Sequence, residues 1–141
     1  MTTKTEEIFK LSAPYKNPYQ GDSERLLFVC SAGILRSATS ATIAAKMGYN
    51  ARSCGTAEYA LIPLSVNLIF WADHIFFVNE ENFKAALKIG FEDSVIETMG
   101  EKTTVWNIKD VYDYMEPRLV EVIESKLSNY KKMPDFLTME N

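Results

Sequence analysis

The chain has few residues that could hold a metal ion or build a disulfide scaffold. Among 141 residues there are two cysteines, Cys30 and Cys54, and one histidine. Two thiols and one imidazole make a poor set of metal ligands, and a chain of this size does not need a disulfide. We therefore predict that both cysteines are free thiols and that the protein uses no metal or other cofactor.

Long apolar runs and basic clusters are also missing. No uninterrupted stretch approaches the about 20 apolar residues that span a bilayer, and the N-terminus lacks the basic-then-apolar layout of a secretory signal. The fifteen Lys and Arg residues are spread along a chain of formal net charge −4, which argues against nucleic acid as the main ligand. We expect a cytoplasmic protein that does not enter a membrane.

The composition favours one folded domain, because 47% of the residues are hydrophobic and 12% are aromatic. Residues 1–24 combine prolines and polar residues with little periodicity, so we interpret them as an N-terminal extension to a domain at residues 25–141. Strands are predicted at 26–29, 50–54, 74–78 and 103–108, and helices at 38–47, from Pro63, after Asn79 and from Pro117. This alternation predicts an α/β fold of three αβα layers around a four-stranded, doubly wound parallel sheet.

A possible reaction centre lies where the first predicted strand ends. Cys30 closes that strand, and ligands of such sheets bind beyond the carboxyl ends of the strands. Arg36 follows at the spacing C-x5-R, with Ser37 directly after it. The intervening residues are small at three of five positions, which lets successive N–H groups form a nest for an anion of phosphate size. These candidate substrate-binding residues are Ser31, Ala32, Gly33, Ile34 and Leu35.

Each residue type in this motif has a role in phosphoryl transfer. Arg36 can bind two phosphate oxygens with its planar guanidinium, and the same positive field favours the thiolate form of Cys30. Ser37 can donate a hydrogen bond to the sulfur when it leaves in a second step. The alternative is that Cys30 is a small core residue and Arg36 forms a surface ion pair.

Four segments resemble the low-molecular-weight protein tyrosine phosphatase family, in its compact form. VCSAGILRSATSA is similar to the family loop V-C-x-G-N-x-C-R-S-P-x-A, and residues 53–56 (SCGT) are similar to S-A-G-T. Residues 71–75 (WADHI) and the later WNIKDVYDYMEP are similar to W-A-D-x-I and W-x-[IV]-x-D-P-Y. The resemblance covers residues 25 to 128 and implies a four-stranded parallel sheet flanked by helices.

The resemblance also implies roles for individual residues. Cys30 would be the nucleophile, Arg36 the phosphate clamp and Ser37 the hydroxyl that assists thiolate release. Asp110 matches the family's general acid and base, with Asp113 as its rival. Tyr112 matches a tyrosine that can stack on an aromatic substrate, and Tyr114 and Tyr59 are weaker candidates for that role.

The motif departs from the family at several positions. Ala32-Gly33 replaces the usual G-N, Leu35 replaces a second loop cysteine, Ala38 replaces a proline, and Val111 replaces the proline after the acid. Glycine can keep the left-handed backbone of the asparagine but loses its hydrogen bonds. We expect a less rigid phosphate loop and a more mobile acid loop.

The sequence therefore predicts a metal-independent phosphomonoester hydrolase. Its substrate would be a phosphotyrosine protein or a small aryl phosphate, and the reaction would pass through a phosphocysteine. Two alternatives stay open at this point. One is a weak or inactive module that binds phosphate groups or proteins, and the other is a thiol-dependent arsenate reductase, for which Cys54 is the only further thiol.

Overall fold

A computed structural model describes the backbone of residues 23–140 and the side chains as far as residue 130. Four parallel strands form one sheet in the order β2-β1-β3-β4. The strands are β1 (Arg25–Cys30), β2 (Asn50–Gly55), β3 (His74–Phe77) and β4 (Thr103–Val105). The helices are α1 (Arg36–Lys46), α2 (Val66–Trp71), α3 (Glu80–Leu87), α4 (Asp93–Glu101) and α5 (Pro117–Glu140).

The central strand β1 is buried on both faces and separates two hydrophobic clusters. Because side chains alternate along a strand, Leu27 and Val29 pack with residues of α2, α3 and α4. Leu26, Phe28 and Cys30 pack on the other face with residues of α1 and α5. The predicted three-layer αβα fold with a four-stranded parallel sheet is confirmed.

Two predicted element starts differ from the structure. Helix α2 begins at Val66 rather than at Pro63, because the Ser65 side chain accepts a hydrogen bond from the N–H of Leu68 and caps the helix there. Pro63 instead pairs with Gly55 in an isolated parallel bridge at the end of β2. Helix α1 begins at Arg36, two residues earlier than predicted.

The chain between β3 and α5 also differs from the prediction. Helix α4 was not predicted, since only Val95 and Met99 of its nine residues are buried and they form a short apolar signal. Strand β4 ends at Val105, earlier than the predicted residue 108. The N–H groups of Trp106 and Ile108 still donate to Phe77 and Val78, at 2.7 and 2.9 Å. The segment after β4 therefore continues alongside the end of β3.

The sheet order places a crevice beyond the carboxyl ends of β1 and β3, where the direction of strand addition changes. Most of the predicted N-terminal extension, residues 1–22, lies outside the described residues, and the boundary at residue 25 stays a prediction. Within residues 23–140, no helix combines the length and the apolar character that a membrane crossing requires.

Candidate active site

Cys30 is the last residue of β1, and its sulfur lies within reach of two hydrogen-bond donors. The side chain is only 3% exposed. Its Sγ lies 2.9 Å from Ser37 Oγ, and the N–H of Gly33 donates to Sγ at 3.1 Å. Since a thiolate has no proton of its own to donate, Ser37 is the donor whenever Cys30 is ionised. The site can thus stabilise negative charge on the sulfur.

The loop after Cys30 is held against the end of β2 by its own backbone. The carbonyls of Cys30, Ser31 and Ala32 accept hydrogen bonds from the N–H groups of Thr56, Ala57 and Leu61. These three carbonyls are therefore occupied by hydrogen bonds to the segment that follows β2. The loop N–H whose direction the hydrogen bonds define, that of Gly33, is directed at Cys30 Sγ, which is consistent with the predicted anion nest.

Gly33 occupies a position that a side chain would not fit. Its φ is +78°, in the left-handed region, and a Cβ atom there would lie 2.9 Å from the carbonyl carbon of Cys54. Such an atom would also lie 3.1 Å from the nitrogen of Gly55. The glycine is therefore required both by the backbone angle and by close contact with β2.

Arg36 begins α1 and is buried beside Cys30, with 5% of its surface exposed. Its Nη1 donates to the carbonyl of Ile108 at 2.9 Å, and its Nε lies 3.6 Å from Asp110 Oδ1. Leu35, the N-cap, makes no side-chain cap, and the first turn of α1 carries no acidic residue. The positive end of the helix and the guanidinium therefore both act on the same site.

A cavity of about 100 Å³ connects these groups. The cavity is large enough to admit more than one water molecule. Asp110 lines this cavity with a side chain that is 66% exposed. Of the two candidate acids, both among the described residues, Asp110 lines the cavity and Asp113 does not. The described lining residues are Cys30, Ser31, Ala32, Ile34, Leu35, Arg36, Tyr59 and Asp110.

The aromatic residue in the cavity wall is Tyr59, in the segment after β2, and its side chain is 77% exposed. Tyr112 packs instead against the cluster around Phe28, and the guanidinium of Arg118 lies 5.6 Å from the centre of its ring. Tyr112 is not among the described residues that line the cavity. The sequence signal for Tyr59 was its position just after SCGT, at the carboxyl edge of the sheet.

Cys54 lies on the opposite face of the sheet from Cys30. Val29 and Cys54 are paired neighbours on β1 and β2 and share one cluster, whereas Cys30 belongs to the other. Both cysteines are free thiols, as the sequence predicted. Burial, with a smaller contribution from Cys30, raises the pKa of Cys54. The buried thiol is therefore poorly suited to be a nucleophile or a partner for Cys30.

Two asparagines near this site, Asn79 and Asn82, were not among the site residues predicted from the sequence, although Asn79 was predicted to precede a helix. Asn79 precedes α3 and Asn82 lies in its first turn, and both line a second cavity of about 260 Å³ next to the first. Ser31, Arg36 and Asp110 also line this second cavity. The signal that could have found the asparagines is N-E-E-N at the carboxyl end of β3, where ligands of such sheets bind.

No group of three or more acidic, cysteine or histidine side chains that could hold a metal ion occurs in the part of the chain that the structure describes.

The fold is similar to those of several solved phosphatase structures. No family model matches the chain, and no curated protein matches it by sequence. Wzb of Vibrio vulnificus, solved in complex with benzylphosphonate, has 18% identity and a TM-score of 0.62 over 79% of this chain and 99% of its own. The arginine phosphatase YwlE of Geobacillus stearothermophilus has 17% identity and a TM-score of 0.55, over 83% of this chain and 94% of its own.

A third similar structure is a protein tyrosine phosphatase from Entamoeba histolytica. It has 19% identity and a TM-score of 0.51, over 77% of this chain and 99% of its own. The chain has the fold of the low-molecular-weight protein tyrosine phosphatases, as its motifs predicted.

Proposed function

We propose that the protein is a cysteine-dependent phosphomonoester hydrolase. The observation that supports this most directly is the position of Cys30 Sγ, 2.9 Å from Ser37 Oγ and 3.1 Å from the Gly33 nitrogen. Both groups can donate a hydrogen bond to the sulfur when it is a thiolate, and Arg36 and Asp110 line the same cavity. The candidate nucleophile, anion clamp and acid thus line one cavity, which supports the proposal.

The reaction follows in two balanced steps. In the first, the Cys30 thiolate attacks phosphorus, a P–S bond forms and the ester P–O bond breaks. The leaving oxygen takes the proton of Asp110. In the second, the Asp110 carboxylate removes a proton from water, whose oxygen attacks phosphorus as the P–S bond breaks. Ser37 donates its hydrogen bond to the departing thiolate, and inorganic phosphate is released.

Arg36 can stabilise both steps from its buried position. One guanidinium nitrogen is already held by the carbonyl of Ile108, which fixes the plane of the group. The remaining N–H groups can bind two phosphate oxygens in a bidentate arrangement. Asp110 Oδ1 lies 3.6 Å from Arg36 Nε and Asp110 lines the same cavity, which supports Asp110 as the group that protonates the leaving oxygen.

We propose phosphotyrosine in proteins, or a small aryl phosphate, as the substrate class. Ile34 and Tyr59 line the cavity, and they are 49% and 77% exposed. An apolar and an aromatic side chain at the rim can pack on the ring of a phosphotyrosine. We also propose that the protein acts in the cytoplasm and that its partner is a phosphorylated protein.

The first test is hydrolysis of p-nitrophenyl phosphate in the presence of a chelator. We expect turnover by the wild type and none by Cys30→Ser, whereas Cys54→Ala removes the other thiol and should remain active. Turnover by Cys30→Ser at the wild-type rate would refute a phosphocysteine. Arsenate-dependent oxidation of a reductant by the wild type, lost in a folded Cys54→Ala, would favour the arsenate reductase alternative.

The second test separates the substrate classes. Peptides that carry phosphotyrosine or phosphoarginine are compared at equal concentration, and we expect kcat/KM to favour phosphotyrosine. Preference for phosphoarginine would overturn the proposed substrate while leaving the phosphocysteine chemistry in place. Binding of both peptides without any turnover would favour the inactive binding module.

The third test concerns the acid. Asp110→Asn and Asp113→Asn are compared on phenyl phosphate and p-nitrophenyl phosphate, whose leaving groups differ in basicity. General acid catalysis contributes about 10²–10⁴-fold, so Asp110→Asn should lose activity of this order on phenyl phosphate and less on p-nitrophenyl phosphate. The opposite ranking of the two variants would make Asp113 the acid.

A further inference from the structure

Asn82 is a buried polar residue that the reaction described above does not use. It lies in the first turn of α3, and only 3% of its surface is exposed. Its Nδ2 donates to Ser31 Oγ at 3.0 Å, in the phosphate loop. Its Oδ1 has no hydrogen-bond partner among the residues that the structure describes. The amide thus makes one contact outside its own helix, and that contact reaches the phosphate loop.

Burial of a half-satisfied amide opposes folding. A buried polar atom without a partner loses its hydrogen bonds to water, and an apolar side chain of similar size would avoid that loss. The fold alone gives no reason for an asparagine at this position. The reason is more readily found in the residue that it contacts, Ser31, which directly follows Cys30.

Asn79, which lines the same cavity as Asn82, also donates a hydrogen bond outside its own helix. Its Nδ2 donates to the carbonyl of Ile108 at 3.3 Å, and the same carbonyl accepts from Arg36. Its Oδ1 accepts from the N–H of Glu81 and caps α3. The start of α3 is therefore bonded both to the phosphate loop and to the segment that leads to Asp110.

We infer that Asn82 is a positioning residue for phosphate binding, which it supports through Ser31. The phosphate loop has Ala32-Gly33 and no asparagine of its own, so no amide side chain within the loop can hold its shape. Asn82 supplies that amide from α3 and fixes Ser31, which lines both cavities of the site. This inference rests on the proposed function, since it assigns the residue to the binding of the same phosphate group.

The test is a double-mutant cycle on Asn82 and Ser31. The variants are Asn82→Ala, Ser31→Ala and the double variant, with Asn67→Ala as the control because Asn67 is an exposed residue of α2. The dissociation constant of inorganic phosphate is measured by calorimetry, which needs no turnover. The free energy of unfolding is measured on the same samples without phosphate.

Each single variant should weaken phosphate binding about 5- to 10-fold, the loss expected for one hydrogen bond that shapes the site. The double variant should be no weaker than the worse single variant, since both remove the same contact. In steady state, KM should rise by a similar factor while kcat changes little, because the contact acts on ground-state and transition-state phosphate alike. Asn67→Ala should match the wild type.

Additive losses in the double variant would overturn the inference. So would a fall in unfolding free energy for Asn82→Ala with an unchanged phosphate constant, because that result describes a purely structural residue. If Asn82→Ala does not fold, Ser31→Ala decides the matter alone, and wild-type affinity in that variant refutes the inference. A wild type that binds phosphate but hydrolyses no ester would refute the proposed function. The double-mutant cycle would still test this inference, because it measures phosphate binding and needs no turnover.

Discussion

Replacement of Gly33 by alanine should disturb the phosphate loop in two ways. A non-glycine residue at φ +78° loses about 1–2 kcal/mol relative to glycine. The new Cβ would also lie 2.9 Å from the carbonyl carbon of Cys54, and backbone of a buried strand cannot move aside cheaply. Overpacking of this kind costs about 1–3 kcal/mol, so we expect a total loss of about 2–5 kcal/mol of unfolding free energy.

The rate of hydrolysis should also fall. Relief of the clash requires the loop to move away from β2, which takes the Gly33 N–H away from Cys30 Sγ, now at 3.1 Å. Loss of one preorganised donor at a developing charge costs about 10²–10³-fold in kcat, so we expect a decrease of this order in p-nitrophenyl phosphate hydrolysis.

Gly48 provides a matched control for this experiment. It has φ +102° after the end of α1, yet a Cβ there would meet no atom within 4 Å. Gly48→Ala should therefore cost only the dihedral term, about 1–2 kcal/mol, and leave hydrolysis unchanged. Denaturant unfolding and steady-state kinetics of both variants are compared at one temperature. Equal stability and equal activity in the two variants would refute the role of the close contact.

Two further predictions concern the substrate wall and the pH dependence of stability. Tyr59→Ala should raise KM for aryl phosphates about 3- to 10-fold, because about 1 kcal/mol of ring contact with the substrate is lost. Tyr112→Ala should mainly lower the unfolding free energy and raise KM less. The reverse pattern would identify Tyr112 as the residue that contacts the substrate ring. Burial, and then the charge of Lys102, lower the pKa of His74, so the unfolded chain binds the proton first, near its ordinary pKa of about 6.5. Unfolding free energy should therefore fall as the pH drops below about 6.5, and fall less in His74→Gln; identical pH profiles in urea titrations would contradict this.

Much of the fold could be predicted because its signals are local. The apolar run of β1 and the N-cap Asn79 lie within a few residues of the elements that they define. Helix α4 could not be predicted in this way, since its buried side chains Val95 and Met99 are meaningful only against the cluster that receives them. The start of α2 was misplaced because Pro63 and Ser65 are both plausible helix starts, and only the bridge to Gly55 excludes the first.

Some residues of the candidate site could likewise be predicted from local sequence, and others could not. Cys30, Arg36 and Ser37 are close in sequence, so their spacing alone indicated a strand, a tight loop and a helix start around an anion. Tyr59, Asn82 and Asp110 reach the same loop from three other segments. Their side chains meet it only after the sheet has formed.

What the sequence by itself determined is the local unit: a buried strand that ends in a thiol, a glycine-containing loop and a helix that begins with an arginine. The residues of this unit are close in sequence, so backbone geometry and side-chain chemistry are enough to predict how they are arranged. What the tertiary structure decided is which distant side chains join that unit. Parallel strands bring their carboxyl ends to one edge, and there packing selected Asp110 over Asp113, and Tyr59 over Tyr112, as lining residues of the cavity.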